Sequence, residues 1–247
     1  MCGRFALSAM LTDIAEEFST LGDSDSPRNL PVDWNIKPTQ DIYIIKAGDT
    51  KTSESIKRRI DVVSWGLIAP WSKSGVEAQR SQSQAINARF ESVHEKPTFR
   101  RAFTHSRCLI PASGYYEWAT ELGRYKSKQP IFISLADSHL LGFSGIYSSW
   151  TSPEGVLRKS AAIITRPAVG ELAKVHDRMP LFLPRERWDE WLDPKNQEVE
   201  YLRTLMDVTE PDAGLQFWPV KTLVNSIKNN GAELIEPLEL GEPETLF

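Results

Sequence analysis

Six strand-like runs, Ile42–Lys46, Arg59–Leu67, Cys108–Ala112, Pro130–Ala136, Leu140–Tyr147 and Ser160–Thr165, fill the middle of the chain with no regular alternation of helices between them. That pattern disfavours a doubly wound α/β fold. It predicts a single α+β domain built around a curved, barrel-like, mostly antiparallel β-sheet with flanking helices. One helix is expected early, where Leu11, Ile14, Ala15 and Phe18 recur at helical spacing behind Ser8 as a cap. The remaining helices cluster late: a short one at Glu171–His176, and fuller ones at Pro184–Leu192 and Gln197–Met206, the first opening on a proline. Residues 21–35 and the Ser-, Gln- and Gly-rich stretch Ser72–Gln84 read as loops, the second a flexible one. The domain spans residues 1–238, and residues 239–247 form an acidic tail ending in Leu246 and Phe247.

At 247 residues and 40% apolar content, the chain has enough apolar surface for one well-buried core. No apolar run approaches the ~20 residues needed to cross a bilayer, and the N-terminus lacks a basic-then-apolar secretory layout, which together imply a cytoplasmic protein. Cys2 and Cys108 form no disulfide framework, and His94, His105, His139 and His176 are too scattered for a metal site, so neither metal nor cofactor is expected. The net charge of -4 argues against bulk attraction to nucleic acid. Residues 51–130 are nevertheless rich in basic side chains, among them Lys57, Arg58, Arg59, Arg80, Arg89, Arg100, Arg101 and Arg107. They permit a local phosphate-binding face, and equally a merely solvated surface.

The chemistry concentrates at Cys2. A small residue after the initiator normally allows Met1 to be removed, leaving an α-amine beside a thiol. An α-amine titrates near ~7.7–8.0 against ~10.4 for lysine, so its nucleophilic fraction at neutral pH is larger by roughly two to three orders of magnitude. With an aldehyde the amine gives a Schiff base, and the thiol then closes on the imine carbon to form a thiazolidine. Gly3 allows close backbone approach, and Arg4 sets a positive fork beside the nucleophile. N-terminal-nucleophile glutaminases also begin Met-Cys-Gly, but usually continue with an aliphatic residue where this chain has Arg4. An amidohydrolase and a non-catalytic DNA-binding module remain the alternatives.

Opening a sugar ring to its aldehyde needs a proton donor and acceptor. Glu117, flanked by Tyr116 and Trp118, is expected to have its pKa raised by desolvation. His176, between Val175 and Asp177, is the only histidine in a polar, turn-like setting. Asn87 and Arg89 lie together in Ile86–Glu91, where an amide orients a hydroxyl and a guanidinium grips a phosphate. Trp65 follows an apolar run and suits the core, whereas Trp71 borders the polar loop and suits base stacking.

Met1-Cys2-Gly3-Arg4-Phe5, Trp34-Asn35-Ile36-Lys37-Pro38, Trp65-Gly66-Leu67, Ile86-Asn87-Ala88-Arg89, Gly114-Tyr115-Tyr116-Glu117-Trp118 and Val175-His176-Asp177-Arg178-Met179-Pro180 together resemble the SOS response-associated peptidase (SRAP) family. The resemblance runs almost end to end, to Asn229-Asn230-Gly231-Ala232-Glu233-Leu234. It implies a cytoplasmic, nucleoid-associated sensor of abasic sites in single-stranded DNA, including single-strand/double-strand junctions. Such a sensor crosslinks itself to the lesion through a thiazolidine and cuts autocatalytically behind Met1. It also implies roles for individual residues: Cys2 as nucleophile, Glu117 in ring opening and proton transfer, His176 assisting it, and Asn87 holding substrate and N-terminus. Gly3, Arg4, Arg89 and Arg178 match DNA- and phosphate-contacting positions, Pro38 and Trp71 match residues near the lesion, and Thr165 matches a pocket position. Here Pro70 and Trp71 are adjacent, where family members often have an intervening residue. The chain reads as a monomer, and its tail resembles a short sliding-clamp-binding peptide.

Overall fold

The structure is a computed structural model that describes residues 2–20, 28–48, 56–119 and 128–239. Met1, the 21–27 portion of the expected loop and the tail from 240 onward lie outside the described residues. Two sheets share one core. The first contains β1 (Phe5–Leu7), β2 (Asp33–Ile36), β7 (Gly114–Ala119), β8 (Gln129–Leu135) and β12 (Leu215–Pro219), in the order β12-β8-β7-β1-β2. The second is a ring of β3 (Asp41–Ala47), β4 (Arg58–Trp65), β6 (Arg107–Ala112), β9 (Leu141–Thr151) and β10 (Leu157–Pro167). It closes because β10 pairs antiparallel with β9 on one side and parallel with β4 on the other. Two three-residue strands, β5 (Asn87–Arg89) and β11 (Arg178–Pro180), extend β10 beyond the ring. Around the sheets lie α1 (Leu11–Glu17), α2 (Gly75–Gln84), α3 (Pro97–His105), α4 (Leu172–Val175), α5 (Trp188–Leu192) and α6 (Val199–Met206). The α+β, barrel-like expectation is met, and each of the six strand-like runs overlaps a strand, although Arg59–Leu67 runs past the end of β4 at Trp65. Among the described residues, no helix is long and apolar enough to cross a membrane.

Burial explains the strand positions. Ile42, Ile44, Val63, Leu109, Phe143, Ile163 and Ile164 are all at most 2% exposed, so the ring interior is a packed core rather than a pore. Phe5 joins the two sheets: its ring stands edge-on to Trp65 at 5.1 Å and to Phe143 at 5.7 Å, in the geometry aromatic quadrupoles favour. Trp65 itself is fully buried, as expected. The chain then turns sharply at Gly66, whose φ of +110° suits glycine; a Cβ there would meet the Gln82 carbonyl oxygen at 2.2 Å.

Several expectations need correction. Ser72–Gln84 is not a flexible loop, because residues 75–84 form α2. The Ser74 side chain caps it by accepting from the Glu77 N–H, and Ala78 and Gln82, four residues apart, turn inward. Ser8 does not cap α1. Its hydroxyl pairs with that of Ser113, and Asp13 reaches back to the Met10 N–H instead. Helices do not cluster late, since α1, α2 and α3 all precede residue 106. The 21–35 loop ends early, at β2. Pro184–Leu192 is a 3₁₀ turn over Arg185–Arg187 followed by α5, rather than one helix.

Arg107 is not part of any basic face. It is 3% exposed, and its guanidinium donates to the carbonyls of Phe103, Thr104, Trp191, Asp193 and Asn196 at 2.5–2.9 Å. Arg58 pairs with Asp189 and donates to the Phe18 carbonyl. Arg107 thereby fastens the α5–α6 segment onto the ring. Arg107→Met, which strands these carbonyls, is expected to cost about 3 kcal/mol or more, because each buried acceptor left unpaired loses its desolvation compensation. Arg107→Lys should recover little, as an ammonium lacks the planar fork. Urea denaturation midpoints check this, and an unchanged midpoint for Arg107→Met would refute it.

Candidate active site

The site forms where β1 enters the first sheet. Antiparallel pairing sets Phe5 against Tyr115, and the Tyr116 N–H donates to the Arg4 carbonyl at 3.0 Å. Continuing that register brings residues 2–4 alongside Glu117. From the other sheet, β10 holds β5 in parallel register, Ile163 opposite Asn87, and the Asn87 Nδ2 donates to the Cys2 carbonyl oxygen at 2.8 Å. α4 ends at His176, and the His176 Nε2 stands 3.9 Å from the Glu117 Oε2. Four residues separated by up to 174 positions in sequence, Cys2, Asn87, Glu117 and His176, thus meet at one place.

Burial tunes the group. Glu117 is 4% exposed, and loss of solvent pushes its carboxyl from the ordinary range up to about 7. At neutral pH it both donates and accepts protons, as a general acid-base group requires. Cys2 is fully buried, and burial, reinforced by the negative charge of Glu117, pushes its thiol far up. The thiol is therefore protonated at neutral pH. His176 is half-buried and its pKa is lowered, chiefly by the same loss of solvent. Its Nδ1 accepts the Arg178 N–H at 3.0 Å, which puts the proton of the neutral ring on Nε2, facing Glu117. The Asp177 carboxylate, 2.9 Å from the same Nδ1, is the acceptor available when the ring takes a second proton.

The other expected site residues spread around this centre. Arg178 is 9% exposed and holds both Glu91 oxygens, at 2.5 and 3.0 Å, together with the carbonyl of fully buried Thr165 at 2.6 Å. Arg4 donates to the Asn35 Oδ1 at 2.6 Å and the Val224 carbonyl at 3.0 Å, over the Trp118 ring. Arg89 is exposed, Gly3 is partly buried, and Pro38 lies at the corner between β2 and β3. Trp71 is 54% exposed on a turn whose Ser72 carbonyl accepts from the Trp150 Nε1. Sequence reasoning assigned no role to Glu91, Asn35 or Asp177. Each sits inside a quoted motif, but nothing local shows that Glu91 meets Arg178, 87 residues on.

A mixed barrel with a buried carboxyl, an amide and an imidazole gathered around Cys2 is the arrangement that the comparisons with known proteins place in a family. Residues 1–227 match SOS response associated peptidase (SRAP), and the chain belongs to that family. It is 38% identical over 237 residues to the abasic site processing protein YoqW of Bacillus subtilis, covering 96% of this chain and 99% of that one. It is 29% identical to the abasic site processing protein YedK of Escherichia coli, covering 96% and 100% of the two chains. A crystallised protein from Bacteroides thetaiotaomicron shares the fold, with a TM-score of 0.78 at 23% identity over 96% of this chain and all of the other.

The Glu117 shift has a thermodynamic consequence. The folded protein keeps this proton where the unfolded chain has released it, so the stability it contributes is full below the ordinary carboxylate range and is lost as pH rises through about 7. Glu117→Gln keeps the shape without the charge. It is expected to melt progressively higher than the wild type from about pH 5 to about pH 8, by an amount worth at most about 3 kcal/mol. Parallel melting curves across that range would show that Glu117 ionises without penalty.

Proposed function

We propose that this protein processes abasic sites in single-stranded DNA by forming a covalent thiazolidine through Cys2, after autocatalytic removal of Met1. The observation that carries the reading is the meeting of Cys2, Asn87, Glu117 and His176 around a carboxyl whose pKa is raised to about 7. The abasic sugar rests mainly as a closed hemiacetal. Glu117 takes the proton from its anomeric hydroxyl and delivers one to the ring oxygen, exposing the aldehyde. The freed α-amine of Cys2 adds to the carbonyl carbon, and loss of one water gives the imine. The thiol then adds across the C=N bond, its sulfur to carbon and its proton to nitrogen, closing the five-membered ring.

A buried, protonated thiol fits this order of events, with the amine attacking first and sulfur second. It fits an amidohydrolase less well, because that chemistry needs the sulfur as the primary nucleophile. The neutral His176 imidazole, with its proton on Nε2, is set to exchange protons with Glu117 as the hemiacetal opens. Asn87 fixes the backbone of the nucleophile through the Cys2 carbonyl. Protection of the lesion during replication and the SOS response follows from the adduct's durability.

Purified protein incubated with single-stranded DNA carrying an abasic site is expected to give a heat-stable adduct one water lighter than the sum of its parts by intact mass. Cys2→Ala and a form retaining Met1 should bind this DNA without forming the adduct. Glu117→Gln should slow crosslinking by about 10²-fold or more, the range typical of a lost general acid-base group, while changing DNA affinity little. Ammonia release from glutamine with no adduct would establish the amidohydrolase instead. Salt-sensitive binding with no covalent product from the wild type would leave only a binding module.

A further inference from the structure

β10 runs from the catalytic centre to a second feature that the reaction above does not use. Its parallel pairing with β4 is confined to Ser160 opposite Ser64 and Ala161 opposite Trp65. Beyond that pair the strands part and leave a cleft of about 650 Å³. Its walls include Arg28, Thr39, Ser64, Gln82, Arg158 and Lys159. With a strand rise of about 3.3 Å per residue, Lys159 stands roughly 13 Å along β10 from Ile163, the residue level with Asn87.

The cleft is cationic in a chain whose net charge is -4. Arg28 faces Asp41, while Lys159 and Lys46 both face Asp61, at 2.8 and 2.6 Å. Arg158 adds an exposed guanidinium, so among the residues lining the cleft Arg28, Arg158 and Lys159 outnumber the single carboxylate of Asp41. Thr39 has a φ of +75°, uncommon for a β-branched residue, and its N–H is pinned to the Trp65 carbonyl at 2.8 Å. A residue stays in that conformation only where the surrounding structure over-determines it. At the rim Leu157 is 60% exposed and adjoining Val156 is 57% exposed, giving apolar surface beside the cations.

We propose that this cleft is a second strand-binding site, which takes the phosphodiester backbone of the single-stranded nucleic acid flanking the lesion, with Arg158 as its principal phosphate contact and Leu157 against a base. The inference rests on the abasic-DNA reading only for the identity of the strand. Cations tracking a backbone beside apolar platforms are what unspecific single-strand binding requires. The 13 Å offset makes the site reachable by a strand several nucleotides long and not by the lesion nucleotide alone.

The test uses full-length protein and fluorescence anisotropy on unmodified single strands, one of about fifteen nucleotides and one of three, lengths that bracket typical single-strand site sizes. Arg158→Glu is expected to weaken binding of the longer strand by about fivefold or more and to reduce the dependence of log K on log salt by about one, while Arg158→Lys restores most of the affinity. Binding of the trinucleotide, and crosslinking to an abasic trinucleotide, should be unchanged. Unaltered affinity and salt slope for the longer strand would overturn the proposal, as would an equal loss on the trinucleotide. Because the readout needs no covalent step, a wild type that binds through Arg158 yet never crosslinks would uphold this site and remove the thiazolidine reading.

Discussion

The placement of β1 is the constraint on which the rest depends. Three residues, Phe5–Leu7, pair on one edge with β2 and on the other with β7, and Phe5 reaches across the core to Trp65 and Phe143 of the closed ring. A chain end is ordinarily among the least ordered parts of a domain. Here it is held by sheet hydrogen bonds on both sides and by an aromatic key. Residues 2–4 therefore continue on a fixed line, with the carboxyl of Glu117, the amide of Asn87 and the imidazole of His176 gathered around them. Positioning of this kind is worth more than any single contact, because reactive groups must be held within a fraction of an ångström of their working geometry.

Burial does two jobs at that centre. By raising the Glu117 carboxyl to about 7 it turns an ordinary acid into one that exchanges protons at neutral pH, and by raising the Cys2 thiol it keeps the sulfur protonated. One desolvated environment thus acts in the same direction on two groups with opposite consequences: the first gains reactivity and the second is restrained. The cost appears as stability forgone at neutral and higher pH, a trade often made at active sites.

Much of this was legible in the sequence, and what was not has physical causes. Glu117 was singled out by its aromatic neighbours, but Tyr116 and Trp118 point to the opposite face of β7 and pack with Phe132 and Trp218; its desolvation comes from the Tyr115 face, which it shares with Cys2. The ring strands were visible through their β-branched and aromatic content, since burial on a pleated surface selects those side chains. α2 was not: its Ser- and Gln-rich sequence has little apolar periodicity, as only Ala78 and Gln82 turn inward, and its signal was the Ser74 cap. β1 and β5 are each three residues long, too short to show a period. Arg107 looked like surface charge because no local pattern shows that five carbonyls from separate segments will converge on it. The Glu91–Arg178 pair and the approach of His176 to Glu117 are products of tertiary closure, which a linear reading has no means to rank.

Asn87 holds Cys2 by its backbone carbonyl rather than by amine or sulfur. A grip of that kind is indifferent to the chemical state of the atoms it presents. A change at the sulfur leaves the amide and the oxygen it meets where they are. The position of residue 2 is thus set independently of its side chain, and a substitution there leaves the anchor in place.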